Sequence, residues 1–478
     1  MGYKNSDRKI QYRLTKYLAL IMTVVLAFSL IYQLITIQPV LLIIANFLLL
    51  VLSLIIYKLL VKLENLQAET FELEDKITHL QDDLAEKLSK ARNVHRKILP
   101  NKIPEPETLT ISTFYQPAEF MGGDYYNIFQ IDHGSMSSIL NQYLIYYFDV
   151  SGHGIDSTLL SIFINDTLEN YFKLKHNPGE KVDPGEIMNY IDLQYQNEGF
   201  PDDYIVCLFL GLLDLNSYKL NYASAGMQFP LYLIDKDKGL EKIEIGGLPL
   251  STGLGAVDSR PAGNFKLPEN HTLLLSTDGL FEQRHNSKMY QSRAEEILQS
   301  NKSLPAPFIK DALVSDFHNF SGSKFGDDDV TFMLVERPEG KIKKWQLSKS
   351  RENSWDEIWD EIIDNIEDLF VSEDINSHEK PDPNPPVALI KLLERMSPKL
   401  KDHINAGEID IKLNLLAEYI TITLEENTGE VNLQNLLDKQ RNSNLSQFRA
   451  GDSSNLTGDK IYYSYNEFYN KLYLLILR

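Results

Sequence analysis

Aspartate recurs at four places where an apolar run breaks into a glycine- or acid-rich turn. The stretches are Gly122-Gly123-Asp124-Tyr125-Tyr126, Asp149-Val150-Ser151-Gly152-His153-Gly154, Thr277-Asp278-Gly279 and Gly326-Asp327-Asp328-Asp329-Val330-Thr331. Oxygen-only carboxylate sets suit hard divalent cations such as Mg²⁺ or Mn²⁺. Gathered without a cation, each pair at ~5 Å repels by roughly 3 kcal/mol at an effective dielectric of ~20. Several such pairs would consume much of a domain's stability of about 5–15 kcal/mol. Bound cations cancel that cost and supply chemistry.

The elements that must position these acids sit in a chain of 478 residues, long enough for about three domains. The net charge of −20 argues against a nucleic-acid footprint. A single cysteine, Cys207, allows no internal disulfide and suits a reducing compartment. It lies in the apolar run 204–212 and reads as a small core residue rather than a nucleophile.

Residues 1–62 predict a transmembrane hairpin. Two apolar runs, 17–37 and 40–61, each have about the 20 residues needed to cross the hydrocarbon core. Only Gln38-Pro39 separates them. Lys4, Arg8, Lys9, Arg13 and Lys16 precede the first run, and Lys58 and Lys62 close the second. The connection has no cation, so both termini and everything downstream are expected on the cytoplasmic side of the inner membrane. Residues 63–104 predict a linker helix. Leu66, Leu73, Ile77, Leu80, Leu84, Leu88, Ala91, Val94 and Ile98 recur at steps near three and four among charged residues. This is a coiled-coil pattern and predicts a homodimer. Leu99-Pro100 should end the helix.

Residues 105–338 read as an α+β sandwich. Strands are expected at 108–115, 124–131, 143–150, 204–215, 217–224, 231–234, 272–276 and 330–336. Helices are expected at 155–172, 184–194, 292–299 and 306–317. The motifs of this segment resemble the PPM-type (type 2C) serine/threonine protein phosphatases in their SpoIIE/RsbU branch. The resemblance is carried by Met121 to Tyr126, Phe148 to Gly154, Ser224-Ala225-Gly226-Met227-Gln228-Phe229-Pro230, Gly247-Leu248-Pro249-Leu250, Ser276 to Glu282, and Asp328 to Thr331. Ala91 to Pro100 is similar to the branch's regulatory helix.

The resemblance implies two divalent cations, Mn²⁺ or Mg²⁺. Asp149 would bridge them. Asp124 and the Val150 carbonyl would complete one, and Asp278 and Asp328 the other, with Asp329 beside them. It further implies hydrolysis of a phosphoserine or phosphothreonine monoester by a water held between the cations, with Asp149 and Asp278 as the residues acting through it. The implied substrate is a phosphorylated anti-anti-sigma (STAS) protein. Asn127 stands where the family commonly has Asp, and Met227 where it has His. His153 could serve as a general acid or simply as part of a turn. Asp327 reads as solvated.

Residues 339–478 form a further α/β segment. Residues 341–349 read as a linker start, with helices at 354–370 and 386–403 and strands at 409–415, 419–424, 460–465 and 471–477. The order loosely resembles an ATPase domain of the histidine-kinase type. Glu425-Glu426-Asn427-Thr428-Gly429 replaces its glycine motif, which implies lost nucleotide binding. A membrane-anchored metal-dependent phosphatase is the expected function. The competing reading is a catalytically inactive membrane scaffold.

Overall fold

The computed structural model describes residues 17–18, 20–32, 35, 40–100, 103–104, 106–134, 141–152, 154–257, 260–322, 326–339, 343–346, 409–415, 419–426, 445–447, 461–466 and 471–477. The chain separates into two compact units, Met1–Ala91 and Arg92–Arg478.

In the first unit, α1 (Leu20–Tyr32) is a short apolar helix. The next helix, α2 (Val40–Ile98), is one uninterrupted element of 59 residues, about 90 Å long at 1.5 Å per residue. Its stretch from Leu42 onward is long and apolar enough to cross a membrane. The expected boundary at residue 62 between hairpin and linker is not a structural break, because positions 40–98 contain neither Gly nor Pro. Beyond the apolar part, i,i+4 pairs such as Lys87–Asp83 and Lys90–Glu86 line the helix. The seam positions Leu66, Leu73, Ile77, Leu80 and Leu84 stay about half exposed or more. The helix ends one residue before Leu99-Pro100 with His95, Arg96 and Lys97 in its last turn, matching the macrodipole.

The second unit contains the predicted sandwich. One five-stranded sheet has the order β1 (Thr110–Gln116), β12 (Val330–Arg337), β9 (His271–Ser276), β6 (Leu231–Asp235), β7 (Gly239–Ile243). The other runs β2 (Tyr125–Gln130), β3 (Gln142–Val150), β4 (Val206–Asp214), β5 (Lys219–Ala225), β8 (Ala262–Lys266). All these pairings are antiparallel. Period-two alternation divides the side chains. Met333 and Val335 of β12 join the core between the sheets, while Phe332 and Leu334 join a second core under the helices. Those helices are α6 (Gln291–Ser300) and α7 (Ala306–Ser321). On the opposite sheet lie α3 (Ile155–Leu174) and α4 (Pro184–Glu198). Asp183 caps α4 through the Gly185 amide, and Gly199 closes it in the left-handed region.

The strands β7 and β8 were absent from the expected list, as were a one-turn helix α5 (Gly279–Glu282) and a two-residue ribbon of β10 (Arg284–His285) and β11 (Lys288–Met289). Farther on, β13 (Lys343–Gln346) overturns the linker expected there, because it pairs antiparallel with β14 (Ile409–Leu415). The sheet continues through β15 (Tyr419–Glu426), β18 (Lys471–Leu477), β17 (Ile461–Asn466) and β16 (Leu445–Gln447). The two helices expected at 354–370 and 386–403, and Asn427, Thr428 and Gly429 of the altered motif, lie outside the described residues.

Two buried polar features hold the sandwich. Arg260, almost fully buried, donates to Asp192 Oδ2 of α4 at 2.8 Å, to the Pro249 carbonyl at 3.3 Å and to the Leu248 carbonyl. Asp192 also accepts from the Val257 amide at 3.1 Å, so one ion pair clamps both ends of the loop 248–260 onto α4. His95, on the last turns of α2, is buried against the ring of Tyr115 at 6.4 Å, and its Nε2 has no hydrogen-bond partner. Burial lowers its pKa to about 4.

Removing one partner of a buried pair leaves the other charge uncompensated. Asp192→Ala should therefore cost about 3–5 kcal/mol in urea unfolding. For His95 the folded pKa lies below its unfolded value of 6.5. The neutral ring's contribution is thus complete above that value and fades as pH falls toward about 4. The stability difference between wild type and His95→Phe, followed by urea unfolding across that range, should change in this direction.

Candidate metal centre

Topology brings the acids together. Asp124 immediately precedes β2, and Asp149 with Val150 closes β3. Tyr125 pairs with Phe148, so both acids leave the same end of one sheet. On the other sheet Phe332 of β12 pairs with Ser276 of β9. Asp328 and Asp329, just before β12, therefore emerge beside Asp278, just after β9. The two sheet ends are joined directly. The Thr277 hydroxyl donates to Asp124 Oδ2 at 2.8 Å and accepts the Thr331 amide at 3.1 Å.

Asp329, which the sequence placed only beside the ligands, is the hub. Its Oδ1 accepts the Ala118 amide at 2.7 Å and its Oδ2 the Gly123 amide at 2.6 Å. The chain around it must be bare. A Cβ on Gly122 would sit 2.3 Å from Asp329 Oδ2, and one on Gly279 would sit 1.9 Å from the Asp329 carbonyl oxygen. A Cβ on Gly123 would press to 2.7 Å from the Val150 carbonyl oxygen. These glycines were the signal that could have exposed the role of Asp329 from sequence.

Electrostatics confirm the crowding. Burial, then the charges of Asp149 and Asp329, pushes Asp124 well above the carboxylate range. Asp149 is pushed up by burial and by Asp278, Asp328 and Asp329. Asp278 rises to about 6 through burial, Asp328 and Glu282. Asp329 also rises to about 6, mainly through burial, although its amide partners oppose the shift.

Asp124, Asp278, Asp328 and Asp329 each accept from an amide or hydroxyl. Gln228 Nε2 donates to Asp278 Oδ2 at 3.2 Å, and the Asp329 amide to Asp328 Oδ1 at 2.8 Å. Among the described residues no three Asp, Glu, His or Cys side chains form a ready-made ligand shell. Asp124 Oδ1 is buried without a hydrogen-bond partner. An orphaned carboxylate oxygen among four further acids fits a hard divalent cation.

Beside the acids is a small recess lined by Asp149, Cys207, Gly226, Met227, Gln228, Phe229 and Ser276 to Asp278. Cys207 is thus not a plain core residue. It is only partly buried and sits in the recess wall, where it pairs across strands with Asp149. Burial, with Asp149 and Asp278, pushes its thiol up to about 12, so it is no nucleophile. Met227 lines the recess, whereas Asn127 lies on β2 and donates to the Tyr146 hydroxyl at 3.3 Å. Asp327 is exposed, as expected, but its carboxylate is held by Gln283 Nε2 at 2.8 Å. His153 lies outside the described residues.

Residues 141–338 match the family model described as Stage II sporulation protein E (SpoIIE). Asp149, Asp278 and Asp328 fall inside the matched stretch, and Asp124 lies just before it. The chain is similar to the Phosphoserine phosphatase RsbP of Bacillus subtilis (strain 168), with 22% identity over 244 residues, covering 50% of this chain and 56% of the relative. It is 24% identical to the Phosphoserine phosphatase RsbU of the same organism over 205 residues, covering 43% and 56%. The chain spans about half the length of these curated relatives. Among solved structures, the SiaA-PP2C domain of Pseudomonas aeruginosa aligns with a TM-score of 0.44 and 20% identity, over 54% of this chain and 98% of that one.

Mutual repulsion without a cation sets a stability test. Asp149→Asn should raise the melting temperature of the metal-free protein, because it removes one buried charge. The same change should abolish the stabilisation that wild type gains on adding millimolar Mn²⁺, read by differential scanning calorimetry.

Proposed function

We propose that this protein is a membrane-anchored, metal-dependent phosphatase acting on phosphoserine or phosphothreonine of a signalling protein. The observation that carries the reading is the convergence of five aspartates from four separate turns, with Asp124 Oδ1 buried and unpartnered. A structural core has no use for such an arrangement, since it costs stability in the absence of a cation. The SpoIIE-family match and the two phosphoserine phosphatase relatives support the same reaction.

Asp149, at the meeting of the two sheet ends, would help to hold both cations. Asp124 and the Val150 carbonyl would hold one, and Asp278 and Asp328 the other. Two divalent cations, Mg²⁺ or Mn²⁺, supply Lewis acidity and an activated water when bound. The residues themselves do the positioning. Thr277 fixes Asp124 by donating to its Oδ2, and Gln228 orients Asp278 from the recess rim. Asp329 ties the Ala118–Gly123 loop under the cluster, so the Gly122-Gly123 backbone approaches Val150. The partly apolar recess of Met227, Phe229 and Cys207 limits water around the ester.

The proposed substrate is a phosphorylated anti-anti-sigma (STAS) protein; the relatives' names support a phosphoserine substrate. Anchoring rests on the apolar stretch of α2 and the shorter helix α1, read as a two-pass hairpin with both termini cytoplasmic in the inner membrane. The exposed leucine seam of α2 fits a parallel homodimer.

The test uses the full chain in lipid nanodiscs. It should release phosphate from a phosphoserine peptide with Mn²⁺ or Mg²⁺ and not with EDTA. Asp278→Ala should lower turnover by about 10²-fold or more, as expected for a group acting in the transition state. Undiminished turnover in that variant, or metal-independent turnover in wild type, would remove the proposed mechanism.

A further inference from the structure

The ribbon formed by β10 and β11 begins six residues after Asp278. Its turn residues Asn286 and Ser287 have φ of 50° and 62°. Two left-handed residues in succession match the tight two-residue hairpin turn. Serine adopts that conformation at an energetic cost, and such strain persists where the surroundings hold it.

The base is held firmly. Gln283 and Tyr290 are both buried, and the Tyr290 amide donates to the Gln283 carbonyl at 2.9 Å. The Gln283 side chain donates to Asp327 Oδ2 and accepts the Asp327 amide at 2.9 Å. The ribbon is therefore rooted one residue from Asp328 on one side, and follows directly on the helix capped by Asp278 on the other. His285 rests its ring on Phe320 at 5.7 Å. All residues from Arg284 to Met289 are exposed. Among the described residues neither Arg284 nor Lys288 forms an ion pair.

Charge gives these two cations a task. Asp124, Asp149, Asp278, Asp328 and Asp329 ionised against two divalent cations leave the pocket one charge negative, and exposed Glu282 adds another. A phosphoserine brings about −1.5 to −2 at pH 7. A phosphoprotein must therefore approach a wall of its own sign, and flanking acids would make the approach worse.

We propose that the Arg284–Met289 ribbon is a docking element for acidic residues flanking the phosphoserine of the protein substrate. The proposal rests on the phosphatase reading above. From Asp278 the path to Arg284 is one helical turn of about 6 Å and two extended residues of about 7 Å. At about 3.4 Å per residue of extended peptide, the ribbon meets acids within roughly four positions of the phosphoserine.

The test uses the full chain in nanodiscs with Mn²⁺. The substrates are p-nitrophenyl phosphate and three phosphoserine peptides, flanked by glutamates, alanines or lysines. Two exposed charge contacts should make KM for the glutamate-flanked peptide rise about fivefold to tenfold in R284A/K288A, with kcat unchanged. The alanine-flanked peptide and p-nitrophenyl phosphate should stay within about twofold, since they offer no partner for the ribbon. R284E/K288E should reverse the preference toward the lysine-flanked peptide. Fluorescence anisotropy of the labelled peptides reads binding without turnover. Equal binding of the glutamate-flanked peptide by wild type and both variants would overturn the docking role. Failure of wild type to hydrolyse any of the four substrates would instead overturn the phosphatase reading.

Discussion

The domain is organised by an electrostatic conflict, in which five carboxylates, Asp124 and Asp329 among them buried, lie within reach of one another. Burial raises the free energy of each charged form, and each neighbour raises it further. Asp124 and Asp149 feel this most, because they lie deepest and face the others. Everything nearby is shaped to tolerate the conflict. Thr277 and Gln228 offer donors, the Ala118 and Gly123 amides neutralise Asp329, and three glycines leave space where a methyl group would collide. Such a site costs stability, which is how functional centres commonly differ from cores.

Two antiparallel sheets are the reason this crowding can be enforced. The strand ends of one deliver Asp124 and Asp149, and those of the other deliver Asp278, Asp328 and Asp329. Neither sheet alone could gather them. Aromatic rings along one sheet, with Tyr147 stacked on Phe209 and Phe209 on Tyr222, belong to the core between the sheets or pack against it. The Asp192–Arg260 pair holds the loop behind Gly226, where a Cβ would already press on Pro249.

Much of this was legible in the sequence because it is locally encoded. Strands β3, β4 and β12 are long and apolar, and each acidic turn carries its glycine beside it. The four aspartates singled out in the sequence come from turns at neighbouring strand ends. What escaped was non-local. Asp329 finds its partners about 206 and 211 positions upstream, and no spacing rule reports such a distance. The β13 segment reads as a linker in sequence because Lys343, Lys344 and Gln346 are polar, and polar residues are also common on edge strands. The short β7 and β8 have exposed faces that dilute the alternation. The join between apolar span and linker in α2 looked like a boundary because composition changes there, yet the backbone has no reason to stop.

Strand β12 serves as a ruler for the whole domain. It pairs with β1 on one side and β9 on the other, and alternate residues feed two different cores. An insertion or deletion of one residue would exchange Met333 and Val335 with Phe332 and Leu334 between those cores, and would draw both acids at its start out of step. Length at this point is therefore frozen more tightly than side-chain identity, and homologous chains should accumulate substitutions along β12 while keeping its count of residues unchanged.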